Sequence, residues 1–377
     1  MTTTRRRPPR RYRADGRPAI TLSGVQSRQR ERFLQRVADG TYHWEAVPTC
    51  LCGSEEAIPL SEKDRFGFPV GVVACGRCGL VRTSPRLAAE NLPTFYDLDY
   101  HALHQSVLNP TSNTALFRKG QGTTVYNLLR RHLPKGRLLV AEIGAGTGGV
   151  LREFAVAARH DGRDVDLIGC EYARDFVEVG RAVGTDLREG GAEALIGMPP
   201  FDVLIMSHVL EHFPDPITEL VRIRQLLKPG AIVYVEVPGL LTLHKKREYE
   251  FDLLEYLTLA HTFHFSRQSI IQTMRRAGFE VVSADETVRS VFVSTGIDAS
   301  SGAIRFDHSP SDARELLTYV AWLDSRAMRY RRVPLRVANE SKRRLKRLLQ
   351  SLLGERIWVS ARSAWRLRGR PHLPKRA

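Results

Sequence analysis

From residue 137 onward, runs of consecutive apolar residues alternate with segments whose apolar positions recur at helical spacing. The runs Arg137–Ile143, Val165–Glu171, Phe201–Ser207 and Ala231–Val237 predict parallel strands covered on both faces, and Phe279–Ala284 and Val288–Thr295 predict two more. Between the first two runs, Val150, Leu151, Phe154, Ala157 and Ala158 line one face of a helix. Leu226-Leu-Lys-Pro-Gly230 reads as a helix end followed by a proline turn into the next strand. The alternation predicts an α/β, Rossmann-like doubly wound domain over residues 137–300.

Elsewhere the pattern is weaker. Between Cys50 and Thr83 only short apolar pieces such as Phe68-Pro-Val-Gly-Val-Val-Ala74 occur, too few for a core without a staple, so residues 37–83 read as a small metal-stapled lobe. Residues 84–136 read as a helical connector. Residues 1–36, rich in Arg, Pro and Gly, predict a disordered basic tail. Residues 301–377 predict a basic helical extension in which Leu345, Leu348, Leu349, Leu352 and Leu353 form a stripe beside five cationic neighbours, with Trp358 and Trp365 beyond.

Charge sharpens this division. Residues 1–36 carry +9 and residues 326–377 carry +15, so the total of +16 leaves −8 for residues 37–325. The body is mildly acidic, and nucleic acid is not an evident partner of it. The stripe with its tryptophans fits an anionic membrane surface, a solvated helix packed on the domain or, less well, nucleic acid. No apolar run reaches the ~18 residues of a membrane span and no secretory segment precedes the tail, so the expected location is cytoplasmic, with peripheral contact at the inner face of the membrane. Of five cysteines, four fall between Cys50 and Cys78, too local for a disulfide scaffold and suited to a metal. Cys50-Leu-Cys52 and Cys75-Gly-Arg-Cys78 offer four thiolates for a closed, structural Zn2+ site. The tight first pair leaves open whether Cys50 is a ligand or His43 replaces it.

The chemistry centres on Glu142-Ile-Gly144-Ala145-Gly146-Thr-Gly148-Gly149, which joins an apolar strand to an amphipathic helix and lets backbone approach a nucleotide-like ligand. Gly144, Gly146 and Gly149 also satisfy a dinucleotide fingerprint, with Glu171 ending the second strand where a ribose-binding acid sits. Glu142 shifts the balance, because a carboxylate there welcomes an ammonium and repels a pyrophosphate. The loop resembles motif I of the class I methyltransferases. The resemblance runs over roughly residues 115–295 through Ile168-Gly-Cys-Glu171, Phe201 to Pro216, Leu226 to Gly230 and Ala277-Gly-Phe-Glu-Val281. It implies an S-adenosyl-L-methionine (SAM) cofactor and an antiparallel last strand. The implied cofactor residues are Glu142, Gly144, Ala145, Gly146 and Gly148, with Glu171 and Tyr172 near the ribose, Ala192 and Glu193 near adenine, and Ser207 and His208 at the end of the fourth strand. His208-Val-Leu-Glu-His212 also spells a zinc-peptidase pattern, but Pro214 and Pro216 stop the helix that pattern needs.

Cys75 to Arg86, followed by Phe95-Tyr-Asp-Leu-Asp-Tyr100, is similar to the N-terminal zinc lobe of nucleotide-sugar C-methyltransferases and of surface-polysaccharide methyltransferases. On that resemblance Tyr96 and Tyr100 line the acceptor pocket. His261-Thr-Phe-His264 takes the place of the family's Glu-His loop, with His261 as proton acceptor and His264 as second choice, while Ala260 stands where the family has glutamate. The expected function is SAM-dependent methylation of a sugar hydroxyl or carbon, on a nucleotide sugar or a surface glycan. An RNA or protein methyltransferase using the basic tails, and a non-catalytic scaffold that retains the fold, are the alternatives.

Overall fold

The computed structural model describes residues 7–105, 120–295 and 310–341. In chain order the elements are α1 (Gly24–Ala38), β1 (Trp44–Glu45), β2 (Ala57–Ser61), β3 (Val72–Cys75), β4 (Val81–Thr83), β5 (Arg86–Leu87), α2 (Leu92–Phe95), α3 (His101–Gln105) and α4 (Gln121–Leu129). The α/β unit follows with β6 (Leu138–Ile143), α5 (Gly149–His160), β7 (Val165–Glu171), α6 (Arg174–Ala182), β8 (Leu187–Glu189), β9 (Phe201–Ser207), α7 (Pro216–Arg224) and β10 (Leu227–Glu236). After α8 (Leu253–Tyr256) come β11 (Phe263–His264), α9 (Arg267–Arg276), β12 (Phe279–Ala284), β13 (Arg289–Ser294) and α10 (Pro310–Leu323), then a further helix over residues 326–341.

The main sheet has seven strands in the order β12-β13-β10-β9-β6-β7-β8. Strands β10, β9, β6, β7 and β8 pair in parallel, and β13 is antiparallel to both neighbours. All six predicted strands are present. The three-residue β8 was missed, since one apolar residue, Leu187, makes no pattern. Alternation along β9 explains the two-sided core: Val203 and Ile205 face α4 and α5, while Leu204 and Met206 face α7 and α9. Where the sequence predicted a helix end at Leu226–Gly230, α7 already stops at Arg224 and Leu227 pairs with Phe201.

Three domain expectations need correction. Residues 7–38 are ordered: Ser23 caps α1, Phe33 and Tyr12 are buried, and Arg11 pairs with Asp252. Composition misled because cations of this segment meet carboxylates of the acidic body, as Arg36 meets Asp99 at 2.7 Å, and Lys63 of the body in turn holds Asp15 at 2.6 Å. The second correction concerns α4, which belongs to the catalytic unit rather than to a connector, because Val125, Tyr126 and Leu129 share a core with Leu151 and Phe154. The third is that the cysteine lobe is not separate. Strand β11, far downstream, completes its four-stranded sheet β11-β4-β3-β2, and Cys50, Cys75 and Cys78 pack into the same core as Ile270 and Met274 of α9.

The C-terminal segment closes over this assembly. Leu316 and Leu323 of α10 pack with Val72 and Ala74, and Arg332 reaches the buried Asp252 at 2.9 Å. The leucine stripe, Trp358 and Trp365 lie outside the described residues. Among those described, no helix is long and apolar enough to cross a membrane.

Candidate active site

Strand order reverses between β6 and β9, and the crevice at their carboxyl ends is where an open α/β sheet binds ligands. A cavity of about 540 Å³ opens there. Glu142, Gly144, Ala145, Gly146, Glu171, Tyr172, Ala192, Glu193, Ser207 and His208 all line it. Gly148 does not; it is the left-handed cap of α5 (φ 73°), and a Cβ there would lie 2.5 Å from Thr185. Gly144 also has positive φ, and a Cβ on it would lie 2.5 Å from Val209. Gly146 (φ 55°) faces open space, so the loop leaves its backbone exposed to a ligand.

The loop is braced by the acid of the next strand. Glu171 accepts hydrogen bonds from the Gly146 amide at 3.0 Å and the Ala173 amide at 3.1 Å. Burial pushes its carboxyl above the usual range, and those amides pull the other way. Glu142 is 2% exposed on the same wall. Ser207 accepts from Gln121 at 2.6 Å, and Gln121 also donates to Glu236 at 2.8 Å. Sequence reading missed Gln121, which opens a helix taken as a connector.

At the other end of the cavity stand Tyr96, Tyr100, His208 and His212. The Tyr96 ring stacks on Tyr172 at 6.2 Å, and both Tyr96 and Tyr100 meet His212 edge-on, at 5.7 and 5.5 Å. The Tyr96 hydroxyl is buried and makes no hydrogen bond within the described protein. Burial holds its phenol protonated, helped by Tyr100 and Glu211. His208 has a left-handed backbone (φ 59°), and its amide donates to Glu236 at 2.7 Å. That conformation is costly for a residue with a Cβ and sets where the imidazole points.

His261 and His264 do not line the cavity. The His261 ring lies behind His212 with centroids 5.0 Å apart, and its carbonyl accepts from Thr83 at 2.6 Å. Burial, with His212 and His264 alongside, holds the His261 imidazole well below its ordinary range. Burial alone pushes His264 down to about 3. The first-choice proton acceptor is therefore one layer removed from the cavity, and the imidazoles that reach it are His101, His208 and His212. The H-x-x-E-H pattern does not form a peptidase helix, because Leu210–His212 is a single tight turn.

In the lobe the four predicted thiols converge. Cys50 and Cys78 are 3.6 Å apart, as are Cys52 and Cys75, and all four sulfurs lie within 4.8 Å of one another. Zn–S bonds of about 2.3 Å place tetrahedral sulfurs about 3.8 Å apart, so the donor set fits zinc. Cys50 belongs to the cluster, and His43 does not.

Residues 123–284 match a family described as the methyltransferase domain. A ubiquinone biosynthesis O-methyltransferase of Ralstonia nicotianae is 34% identical over 98 residues, which cover 25% of this chain and 41% of the relative. The corresponding protein of Roseobacter denitrificans is 34% identical over 102 residues, 25% of this chain and 39% of its own length. The chain thus spans about two fifths of the length of these relatives. A solved S-adenosylmethionine-dependent methyltransferase from Mesorhizobium loti superposes with a TM-score of 0.34 at 15% identity, over 44% of this chain and 94% of that one. The chain carries a class I, SAM-dependent methyltransferase domain, and its mostly parallel seven-stranded sheet is the fold of that class.

Proposed function

We propose that the chain transfers a methyl group from SAM to a hydroxyl oxygen of a carbohydrate. The observation that carries this reading is one cavity that joins the glycine loop to three imidazoles and to a buried phenol with no hydrogen-bond partner among the described residues. Bound SAM supplies an electrophilic sulfonium methyl. Glu142 and the amides around Gly144 and Gly146 hold its amino-acid end, Glu171 its ribose, and Ala192 and Glu193 the adenine. Tyr96 donates to an oxygen of the acceptor, and the faces of Tyr96 and Tyr100 cover the C–H face of a sugar ring. His208, with Nδ1 turned to Glu211 at 3.5 Å, leaves Nε2 to take the hydroxyl proton. An oxygen acceptor is preferred to carbon because Ala260 supplies no carboxylate where the sugar C-methyltransferases have one.

The four thiolates hold zinc as a staple for the lobe that closes the acceptor side. Similarity to ubiquinone O-methyltransferases favours a second reading, a phenolic hydroxyl in the same position. Incubating the protein with SAM and either nucleotide sugars or catechols separates the two. A methyl gain on a sugar oxygen supports the first reading, and one on a catechol alone replaces it.

A further inference from the structure

Behind the acceptor end of the cavity lies a group of side chains that methyl transfer uses only through His208. Glu211 is 1% exposed, and neither carboxylate oxygen has a hydrogen bond in the described protein. Three imidazoles surround its Oε1: His208 Nδ1 at 3.5 Å, His212 Nε2 at 3.8 Å and His261 Nε2 at 3.9 Å. These distances are too long for hydrogen bonds. A buried carboxylate left in this state costs several kcal/mol, on the order of what breaking a buried ion pair costs.

The tautomer of His212 decides what the group lacks. Its Nδ1 lies 2.8 Å from the Ala260 carbonyl, which only accepts, so Nδ1 carries the proton and a neutral ring turns the Nε2 lone pair toward Glu211. His261 also turns Nε2 to the same oxygen. Oε1 of Glu211 thus has imidazole nitrogens on three sides and a hydrogen bond from none of them. A second-layer carbonyl that fixes a ring tautomer is how proteins aim an imidazole at a metal ion.

The group is held rigidly. The Thr262 amide and hydroxyl both donate to the Glu211 carbonyl, at 2.8 and 2.9 Å, and its hydroxyl reaches the Phe213 carbonyl at 2.7 Å. Strand β11 then ties the same loop to β4, pairing Phe263 with Arg82. The ligand atoms of Glu211, His212 and His261 lie within 4.8 Å of one another. Metal–nitrogen and metal–oxygen bonds of about 2.0–2.2 Å need ligand atoms about 3–3.5 Å apart, so side-chain shifts on the order of 0.5–1 Å bring the three donors onto one ion.

We propose that Glu211, His212 and His261 bind one divalent transition-metal cation, of the kind that accepts two imidazoles and a carboxylate, separate from the thiolate-held ion. Three protein donors leave coordination positions open, and of the three His212 is the one on the cavity wall. The ion's role, though not its binding, rests on the methyl-transfer reading. It holds the acceptor hydroxyl and makes its proton easier to lose to His208, while the oxygen attacks the methyl carbon and the carbon–sulfur bond breaks to release S-adenosylhomocysteine. A vicinal pair of hydroxyls would chelate the ion and fix the acceptor in line.

The test is equilibrium dialysis of the full chain against Mn2+, followed by elemental analysis of every bound divalent metal, with S-adenosylhomocysteine binding measured on the same samples. The expected result is one equivalent per chain, in addition to the thiolate-held ion, that is present in wild type and lost in both Glu211→Gln and His261→Ala. Metal content that does not differ between wild type and the two variants would overturn the site and favour a protonated histidine–carboxylate cluster. Retained S-adenosylhomocysteine binding shows that a variant is folded. Loss of that binding in wild type would sink the cofactor reading without touching the metal count.

Discussion

At the residue scale, the cofactor end and the acceptor end make separable predictions. Glu171 braces the glycine loop and faces the cavity, so Glu171→Ala should weaken S-adenosylhomocysteine binding at least about tenfold, the effect of losing charge-assisted hydrogen bonds. Calorimetry reads this directly, and unchanged affinity would remove Glu171 from the ribose site. His208→Ala should instead lower kcat by about a hundredfold or more, as for a general base, and leave cofactor affinity alone. Full turnover would return the proton to another group. Tyr96→Phe should raise the KM of the acceptor with little change in cofactor affinity, because it removes one donor and keeps the ring.

The residues that line the glycine-loop end of the cavity were legible from the sequence because they lie in short strings tied to strand ends. The acceptor side was legible only in part. Glu211 and His212 stood in plain view within His208-Val-Leu-Glu-His212, yet their meaning depends on His261, which approaches from a loop about fifty residues later. No local spacing encodes that meeting.

At the element scale, the decisive feature is β11, two residues that attach the His261 loop to the sheet of the cysteine lobe. Sequence periodicity cannot find a two-residue strand, and so the lobe read as a separate unit. The pairing makes lobe integrity a condition for site geometry. Cys75→Ser should lose one zinc per chain and lower the melting temperature, whereas Cys170→Ser, a buried thiol outside the cluster, should keep its metal. Equal metal content in the two variants would refute the thiolate site. A further consequence concerns turnover, which should fall in Cys75→Ser more than cofactor affinity does, since the lobe supports the acceptor end.

At the scale of the whole molecule, charge is distributed so that basic ends clasp an acidic body. Asp252 collects Arg11 from the N-terminal segment and Arg332 and Arg336 from the last described helix, with Asp252 and Arg332 side chains each 1% exposed. Removing the carboxylate strands a buried guanidinium, so Asp252→Ala should cost about 3–5 kcal/mol in urea unfolding. A loss below about 1 kcal/mol would show that the clasp is ornamental to stability. This ion-paired order is also why composition misjudged the N-terminus. Arginine and proline density predicts disorder only where the cations lack buried partners.

The central claim is that the crevice between β6 and β9 holds SAM rather than a dinucleotide. Calorimetric titration of the purified chain with S-adenosylhomocysteine, with NAD as the control ligand, tests it most directly. The account predicts saturable binding of one S-adenosylhomocysteine per chain and none of NAD; binding of NAD, or of neither ligand, would contradict it.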